Sequence, residues 1–150
     1  YPSSLINIYI MLPSTTAIDV NSKTRDIDYI VKNITSGDML VRSYNIKKRT
    51  PSDSNVVATR SSSSKDFIYI QTTSGTSIIL THDHKIYIDS DWIRADRLSI
   101  GLPVLNSELK ETKIIDIHKI HNSTSQKVYN LTIENTQCFF ANDILVHNDS

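Results

Sequence analysis

Alternation between hydrophobic and polar residues is the dominant pattern along this chain. A period of two residues is typical of a strand that buries one of its faces. Long stretches with the 3.6-residue spacing of an amphipathic helix are missing, and turn-forming residues such as those at 73–75 separate the alternating runs. The pattern therefore predicts an all-β domain of many short strands. The clearest runs are residues 67–72, 76–81, 85–88, 112–120, 128–133 and 144–147.

Two segments depart from this alternation. Residues 94–98 are predicted to form one short helical turn. Residues 47–65 contain Pro51 and a run of serines at 61–64, a composition that is typical of an exposed loop. We therefore expect a loop over residues 47–65.

Length and charge narrow the class of protein. A chain of 150 residues with a hydrophobic fraction of 39% can form one domain with its own core. Sixteen basic residues balance sixteen acidic ones, so net charge gives no reason to expect nucleic acid or a membrane surface as a partner. No apolar run approaches the ~18 residues of a membrane span. We expect a monomer that binds neither nucleic acid nor membranes.

The single cysteine, Cys138, excludes an internal disulfide bond and fits an intracellular reducing compartment without establishing one. Its thiol has three conceivable roles: an alternative nucleophile, a redox brake, or a small buried apolar group beside Phe139. We favour the buried group. His82 and His84 have the spacing of a partial metal site, but no cysteine cluster accompanies them, so we expect no metal and no other cofactor.

The pair His147-Asn148 near the chain end suggests a specific reaction. An asparagine side-chain amide can attack its own backbone carbonyl, which forms a five-membered succinimide and releases the next residue with a free amine. The unassisted reaction is slow, and a neighbouring imidazole can protonate the departing nitrogen or polarise the carbonyl. Alone, such a dipeptide is more simply a polar strand end without chemistry, so its context decides.

That context is the segment of residues 128–148, which resembles the C-terminal blocks of inteins and bacterial intein-like domains of the Hint (hedgehog/intein) superfamily. Those blocks begin with a Val-Tyr-Asp/Asn-Leu strand, here residues 128–131. They continue through a Phe-x-Ala-Asn turn, here residues 139–142, to Val-His-Asn, here residues 146–148. Agreement in order over the whole segment makes this a specific signal.

Earlier segments resemble the same family. Inteins carry a Thr-x-x-His motif midway through the splicing domain, and Thr81 and His84 match it. Residues 11–16 fit the opening block apart from its first residue, while residues 34–41 and 92–104 resemble later segments.

The resemblance spans residues 11–148 and implies a fold and a domain organisation. The implied fold is a flattened, pseudo-two-fold, all-β Hint fold that brings the two chain junctions together. Residues 1–10 are then expected to be an upstream flank or extension, and residues 149–150 the stub of a downstream flank.

At the upstream junction, the resemblance implies that His84 loosens the peptide bond between Ile10 and Met11, and that Thr81 hydrogen-bonds beside it. The family uses a thiol or hydroxyl at the first position to accept the acyl group of the preceding residue. Met11 has a thioether without an ionisable proton, so we expect the Ile10–Met11 bond to survive. Ser14 is a conceivable substitute, but it is more simply a turn residue.

At the downstream junction, Asn148 is the expected nucleophile, His147 the general acid, and the amine of Asp149 the leaving group. Ordinary splicing needs Cys, Ser or Thr directly after the asparagine, so Asp149 favours cleavage without ligation. Asn130 stands where many inteins have Asp and cannot act as a base. Gln137 stands where many have His; it can orient the Asn148 amide but cannot shuttle a proton. Both changes should slow cleavage.

The sequence therefore predicts a single-turnover autoprocessing domain that cleaves its own Asn148–Asp149 bond and acts in cis on flanking host polypeptide. The upstream acyl shift and full splicing are expected to be absent. Two alternatives stay open. One is a catalytically decayed Hint domain that serves as a folded spacer or protein-binding module. The other is an acyl-transfer variant, which would pass a flanking peptide to an outside amine and which Met11 disfavours.

Overall fold

The computed structural model describes residues 11–35 and 38–148. Ile10 and Asp149, together with the two expected flanks, lie outside the described residues, as do residues 36–37 of the segment 34–41. Within the described ranges the strands are β1 (Leu12–Pro13), β2 (Ala17–Val20), β3 (Lys23–Asp26), β4 (Leu40–Asn45), β5 (Thr50–Thr72), β6 (Ser77–Leu80), β7 (Lys85–Ile88), β8 (Asp91–Arg94), β9 (Pro103–Leu105), β10 (Glu111–Ile133), β11 (Cys138–Ala141) and β12 (Ile144–His147).

The strands form two antiparallel sheets. The larger sheet has the order β1-β10-β5-β4-β2-β3, with β6 added to β5 and β9 added to β10. The smaller sheet has the order β11-β12-β7-β8. β5 and β10, each 23 residues long, run side by side and carry three register shifts, which bend the pair. This architecture confirms the predicted all-β class.

The segment 47–65 was predicted to be a loop, and that prediction is wrong for residues 50–65, whereas residues 47–49 form a turn. β5 begins at Thr50 and runs through the serine-rich stretch to Thr72. Its first part pairs with β4, and residues 61–64 pair with β10. Pairing uses main-chain groups, which serines supply as well as any residue, so two neighbouring strands override the weak strand preference of the side chains.

One short helix, α1 (Ile27–Asn33), lies among the strands of the described residues. The side chain of Asp26 caps it by accepting a hydrogen bond from the Tyr29 N–H at 2.9 Å, and Ile27 and Ile30 turn into the core. A 3₁₀ turn over Ala95–Arg97 falls within the helical turn that the sequence predicts for residues 94–98. Within the ranges described, no helix has the length and apolar character needed to cross a membrane.

The hairpin of β11 and β12 is buried on both faces, which explains its continuous run of apolar residues. Phe139 and Val146 face the main core between the sheets, whereas Phe140 and Leu145 face a smaller aromatic cluster. The hairpin turns at Asn142, whose φ is +49°. The Asn142 side chain accepts from the Ala17 N–H at 2.6 Å and donates to the Ser77 carbonyl at 2.9 Å. Asn142 therefore ties the end of the chain to both β2 and β6.

Candidate active site

The two ends of the described domain meet at one place. β12 pairs with β7, which puts His147 beside the turn that connects β6 to β7. That turn carries Thr81 and His84, and Met11, just before β1, contacts both of them. Residues that the sequence assigned separately to the upstream and downstream junctions therefore lie in a single site.

Thr81 holds the main chain of Met11 from two sides. The Met11 N–H donates to Thr81 Oγ1 at 2.8 Å, and the Thr81 N–H donates to the Met11 carbonyl at 3.1 Å. Thr81 Oγ1 also lies 3.2 Å from Oδ1 of Asp83, an acceptor for its proton. Met11 itself is fully buried and packs with Phe67 and Val128. Met11 is thus held through its main chain and covered by neighbouring side chains.

His84 bridges the upstream and downstream ends. Its Nε2 lies 3.0 Å from the carbonyl oxygen of His147, and its Nδ1 lies 3.4 Å from the carbonyl oxygen of Met11. The side chain is fully buried. Burial disfavours the charged ring and lowers the pKa of His84 from 6.5 to about 4, although both carbonyls oppose this shift. The imidazole is therefore neutral at pH 7.

A neutral His84 can donate only one hydrogen bond, yet both of its ring nitrogens face carbonyl oxygens. The shorter contact, to His147, identifies Nε2 as the protonated nitrogen. Nδ1 then turns a lone pair towards the Met11 carbonyl. The sequence assigned His84 to the upstream bond, and the structure places its ring between the Met11 and His147 carbonyls, with the shorter contact to His147.

The side-chain amide of Asn148 is buried and fixed at both of its ends. In the orientation that satisfies both atoms, Nδ2 donates to the main-chain carbonyl of Gln137 and Oδ1 accepts from the main-chain N–H of Ile133, each at 2.9 Å. The opposite orientation leaves only a 3.4 Å contact from Nδ2 to the Ile133 carbonyl. The main-chain N–H of Asn148 also donates to Gln137, at 3.0 Å. The segment between β10 and β11 therefore clamps the expected nucleophile.

His147 contacts the carbonyl that Asn148 is expected to attack. Its Nδ1 lies 2.8 Å from the main-chain oxygen of Asn148. A carbonyl oxygen can only accept a hydrogen bond, so Nδ1 carries the proton in this contact. The half-buried His147 ring also meets the ring of Trp92 edge to face, with 4.8 Å between centroids.

The structure gives Gln137 and Asn130, the two residues expected to support cleavage, different positions relative to Asn148. The side chain of Gln137 is exposed, and the residue reaches Asn148 through its main-chain carbonyl. Asn130 is buried, and its Oδ1 accepts from the Leu131 N–H at 2.8 Å. It follows Tyr129, which pairs with the residue after Met11, so it lies along the upstream entry strand.

Cys138 is directly opposite His147 in the β11–β12 pair. Its thiol is buried, and Sγ donates to the main-chain carbonyl of Tyr44 at 3.3 Å with Ser43 Oγ 3.6 Å away. Burial raises the pKa of Cys138, which keeps the sulfur as the weakly nucleophilic thiol. These contacts favour the packing role over the nucleophilic one.

Sequence reasoning missed three contributors to the site: the main-chain groups of Ile133 and Gln137, and the side chain of Trp92. Main-chain groups leave no signal in a sequence. Trp92 lies within the segment 92–104, where the family resemblance drew attention to its later strand and not to the aromatic ring. In the part of the chain that is described, no group of three or more His, Cys, Asp or Glu residues is placed to hold a metal ion.

A two-sheet, all-β fold that brings the two ends of the described domain into one site is typical of a Hint domain of the autoprocessing or splicing type. Residues 22–149 match the family model of the pretoxin Hint domain. The chain belongs to the pretoxin Hint domain family. No curated protein sequence gives a significant match.

Solved structures of low sequence identity share the fold over almost their whole length. The DnaB intein from Synechocystis sp. PCC 6803 is 20% identical, with a TM-score of 0.81 over 93% of this chain and 99% of the intein. The bacterial intein-like domain from Clostridium thermocellum is 20% identical, with a TM-score of 0.82 over 92% of this chain and 98% of that domain. The Hint fold that the sequence resemblance implied is confirmed.

Proposed function

We propose that this domain cleaves the peptide bond after Asn148 by cyclisation of the Asn148 side chain. The observation that carries this proposal is the contact between His147 Nδ1 and the Asn148 carbonyl oxygen at 2.8 Å, with the Asn148 amide clamped beside it. Nucleophile, electrophile and polarising group are thus held together in one buried place. Such positioning supplies much of what an intramolecular reaction needs.

The proposed reaction is an addition to the main-chain carbonyl of Asn148 followed by an elimination. Nδ2 of Asn148 attacks the main-chain carbonyl carbon of the same residue and forms the succinimide nitrogen–carbon bond. The carbon–nitrogen bond to Asp149 breaks, and the amine of Asp149 leaves. Nδ2 loses one proton and the departing amine gains one, so the products balance without a co-reactant.

The main-chain carbonyl of Gln137 helps the nucleophile. It accepts a hydrogen bond from Nδ2, while the Ile133 N–H holds Oδ1. Two fixed hydrogen bonds leave the amide little rotational freedom, so little entropy is lost when it attacks. This arrangement gives the exposed side chain of Gln137 no direct part.

His147 assists by polarising the scissile carbonyl. Its Nδ1 proton stabilises the negative charge that develops on the oxygen during attack. The sequence suggested either this role or protonation of the leaving nitrogen. The 2.8 Å contact supports carbonyl polarisation in the resting enzyme, and the same proton can then pass to the departing amine.

The upstream bond stays intact in this proposal. Met11 supplies no nucleophilic atom, and the proton of His84 points to His147 and away from Met11. The acyl shift, full splicing and the acyl-transfer variant all require an activated upstream acyl group. We therefore infer cleavage without ligation.

The processing acts in cis on the host polypeptide. We infer a Hint domain over residues 11–148, an upstream flank over residues 1–10 and a downstream flank that begins at Asp149. The family name connects such domains with toxin precursors. Release of a downstream segment of a precursor is the role that C-terminal cleavage would serve.

The test is intact-mass spectrometry over time on a chain extended beyond Ser150. We expect loss of the extension, and an N-terminal product that ends in succinimide, one water lighter than a product that ends in asparagine. Asn148→Asp keeps the shape but removes the nucleophilic nitrogen, and Asn148→Ala removes the whole amide; both should retain the extension. An extension that stays on the folded parent chain for days would overturn the proposal in favour of a decayed module.

A further inference from the structure

The one tryptophan of the chain, Trp92, packs against the imidazole of His147. The ring centroids are 4.8 Å apart and the planes are 87° to one another. Trp92 lies on β8, and β7 separates β8 from β12 in the sheet, so the indole reaches across a whole strand to make this contact. The contact therefore joins two strands that are not neighbours in the sheet.

Trp92 is itself held by a row of aromatic rings. It is opposite Tyr87 in the β7–β8 pair, with 5.2 Å between ring centroids, and Tyr87 is 6.0 Å from Tyr44. Tyr44 and Tyr87 are buried in the smaller core cluster. The hairpin turns tightly through Asp89 and Ser90, both with positive φ, which fixes the strand that carries Trp92. The indole is therefore packed against a row of buried aromatic side chains.

The orientation of the His147 ring decides which atom meets the Asn148 carbonyl. A half-turn about the bond to the ring would replace Nδ1 with a carbon and remove the 2.8 Å contact. That torsion is broad and roughly two-fold for histidine, so the side chain alone does not choose between the two orientations. An aromatic ring packed perpendicular to the imidazole restricts the torsion.

We propose that Trp92 is a positioning residue for the cleavage reaction: its indole holds the His147 imidazole with Nδ1 on the scissile carbonyl and keeps water from that side of the ring. The proposal rests on the cleavage activity proposed above. Trp92 has no atom in the chemistry and acts through His147.

The first experiment compares cleavage rates of chains extended beyond Ser150. Trp92→Leu keeps an apolar side chain but loses the flat ring, and we expect it to slow cleavage ~10-fold or more, as misplacement of a catalytic group does. Trp92→Phe restores a ring and should recover most of the rate. Tyr69→Leu is the matched control, because Tyr69 is a half-buried ring on β5 that stacks on His118 and lies outside the aromatic row that holds Trp92. It should cleave close to the parent rate when folded.

The second experiment does not depend on cleavage. In an Asn148→Ala background, the NMR shifts of the His147 ring protons report the ring current of Trp92. We expect these shifts to change in Trp92→Leu and to keep their parent values in Tyr69→Leu. Unchanged shifts in folded Trp92→Leu would overturn the contact even if the domain proves unable to cleave. Changed shifts with a parent-like cleavage rate would overturn the positioning role alone.

Discussion

We assign Met11 and Asn148 to the two junctions of this domain, and hydrogen bonds hold both residues in place. Met11 is bound through its main chain to Thr81, and Asn148 is bound through main chain and side chain to Gln137 and Ile133. Both residues are buried. The junctions differ in chemistry: the thioether of Met11 cannot form an acyl intermediate, whereas the Asn148 amide can attack its own carbonyl. The hydrogen bonds that hold a junction residue can therefore be present even where that residue lacks the reactive group that the reaction needs.

His84 adds to this difference because its ring contacts the carbonyls of both Met11 and His147. Its single proton is directed to the carbonyl of His147, and the Met11 carbonyl faces the unprotonated nitrogen. The histidine that the family resemblance links to the upstream bond thus also contacts the downstream strand in this chain. Each of the following predictions tests one side of that asymmetry.

The largest effect is expected at His147. His147→Ala should reduce the rate of C-terminal cleavage by about 10²–10⁴-fold, because it removes the group that polarises the scissile carbonyl. His147→Gln keeps a hydrogen-bond donor without a titratable ring, so its cleavage rate should lie between that of the parent chain and that of His147→Ala. Time courses by intact mass on the extended chain measure both variants. If folded His147→Ala cleaves at the parent rate, His147 does not assist the reaction by polarising the scissile carbonyl.

A smaller effect is expected from the titration of His84, which should make the free energy of unfolding of the domain depend on pH. The pKa of His84 is about 4 in the folded domain against 6.5 normally, since burial disfavours the charged ring. Below pH 6.5 the unfolded chain binds this proton first, so stability falls as pH drops to about 4 and then levels off. The full loss is of order 3 kcal/mol. Denaturant titrations across this range should show the slope.

His84→Gln is the control for that measurement, because it removes the titrating group at the same buried place. Its stability should lose this part of the pH dependence between 6.5 and 4. An unchanged pH profile in the variant would show that other groups cause the acid sensitivity and that His84 is not the buried neutral bridge.

The smallest effect is expected at the upstream junction. Met11→Cys supplies the missing thiol, which can take the acyl group of Ile10 as a thioester. Hydroxylamine should cleave this thioester and release residues 1–10 slowly, as detected by intact mass. The release should be slow because the proton of His84 is directed elsewhere. Met11→Ala shortens the side chain without adding a thiol and should release nothing. If Met11→Cys also releases nothing, the upstream junction lacks more than a nucleophilic side chain, and the difference between the two junctions is not confined to position 11.

Much of the fold follows from the sequence, and the exceptions have physical causes. Alternating residues located the strands at 67–72 and 128–133 because one buried face imposes a period of two. The strand at residues 50–65 was missed, since its pairing depends on neighbours and not on its own polar side chains. The pair His147-Asn148 could be singled out because both side chains carry groups whose chemistry can be read from the sequence.

By itself, the sequence determined the kinds of chemistry that this protein can contain: an asparagine beside a histidine at one junction, and a methionine where a nucleophile would be needed at the other. The tertiary structure alone decided how these groups are arranged. It put the carbonyl of His147 against a histidine 63 residues earlier, and it put Trp92 against the His147 ring. It also recruited main-chain groups of Gln137 and Ile133 as the clamp on Asn148. Every residue carries the same main-chain donor and acceptor, so only the folded path of the chain shows which of them a site will use.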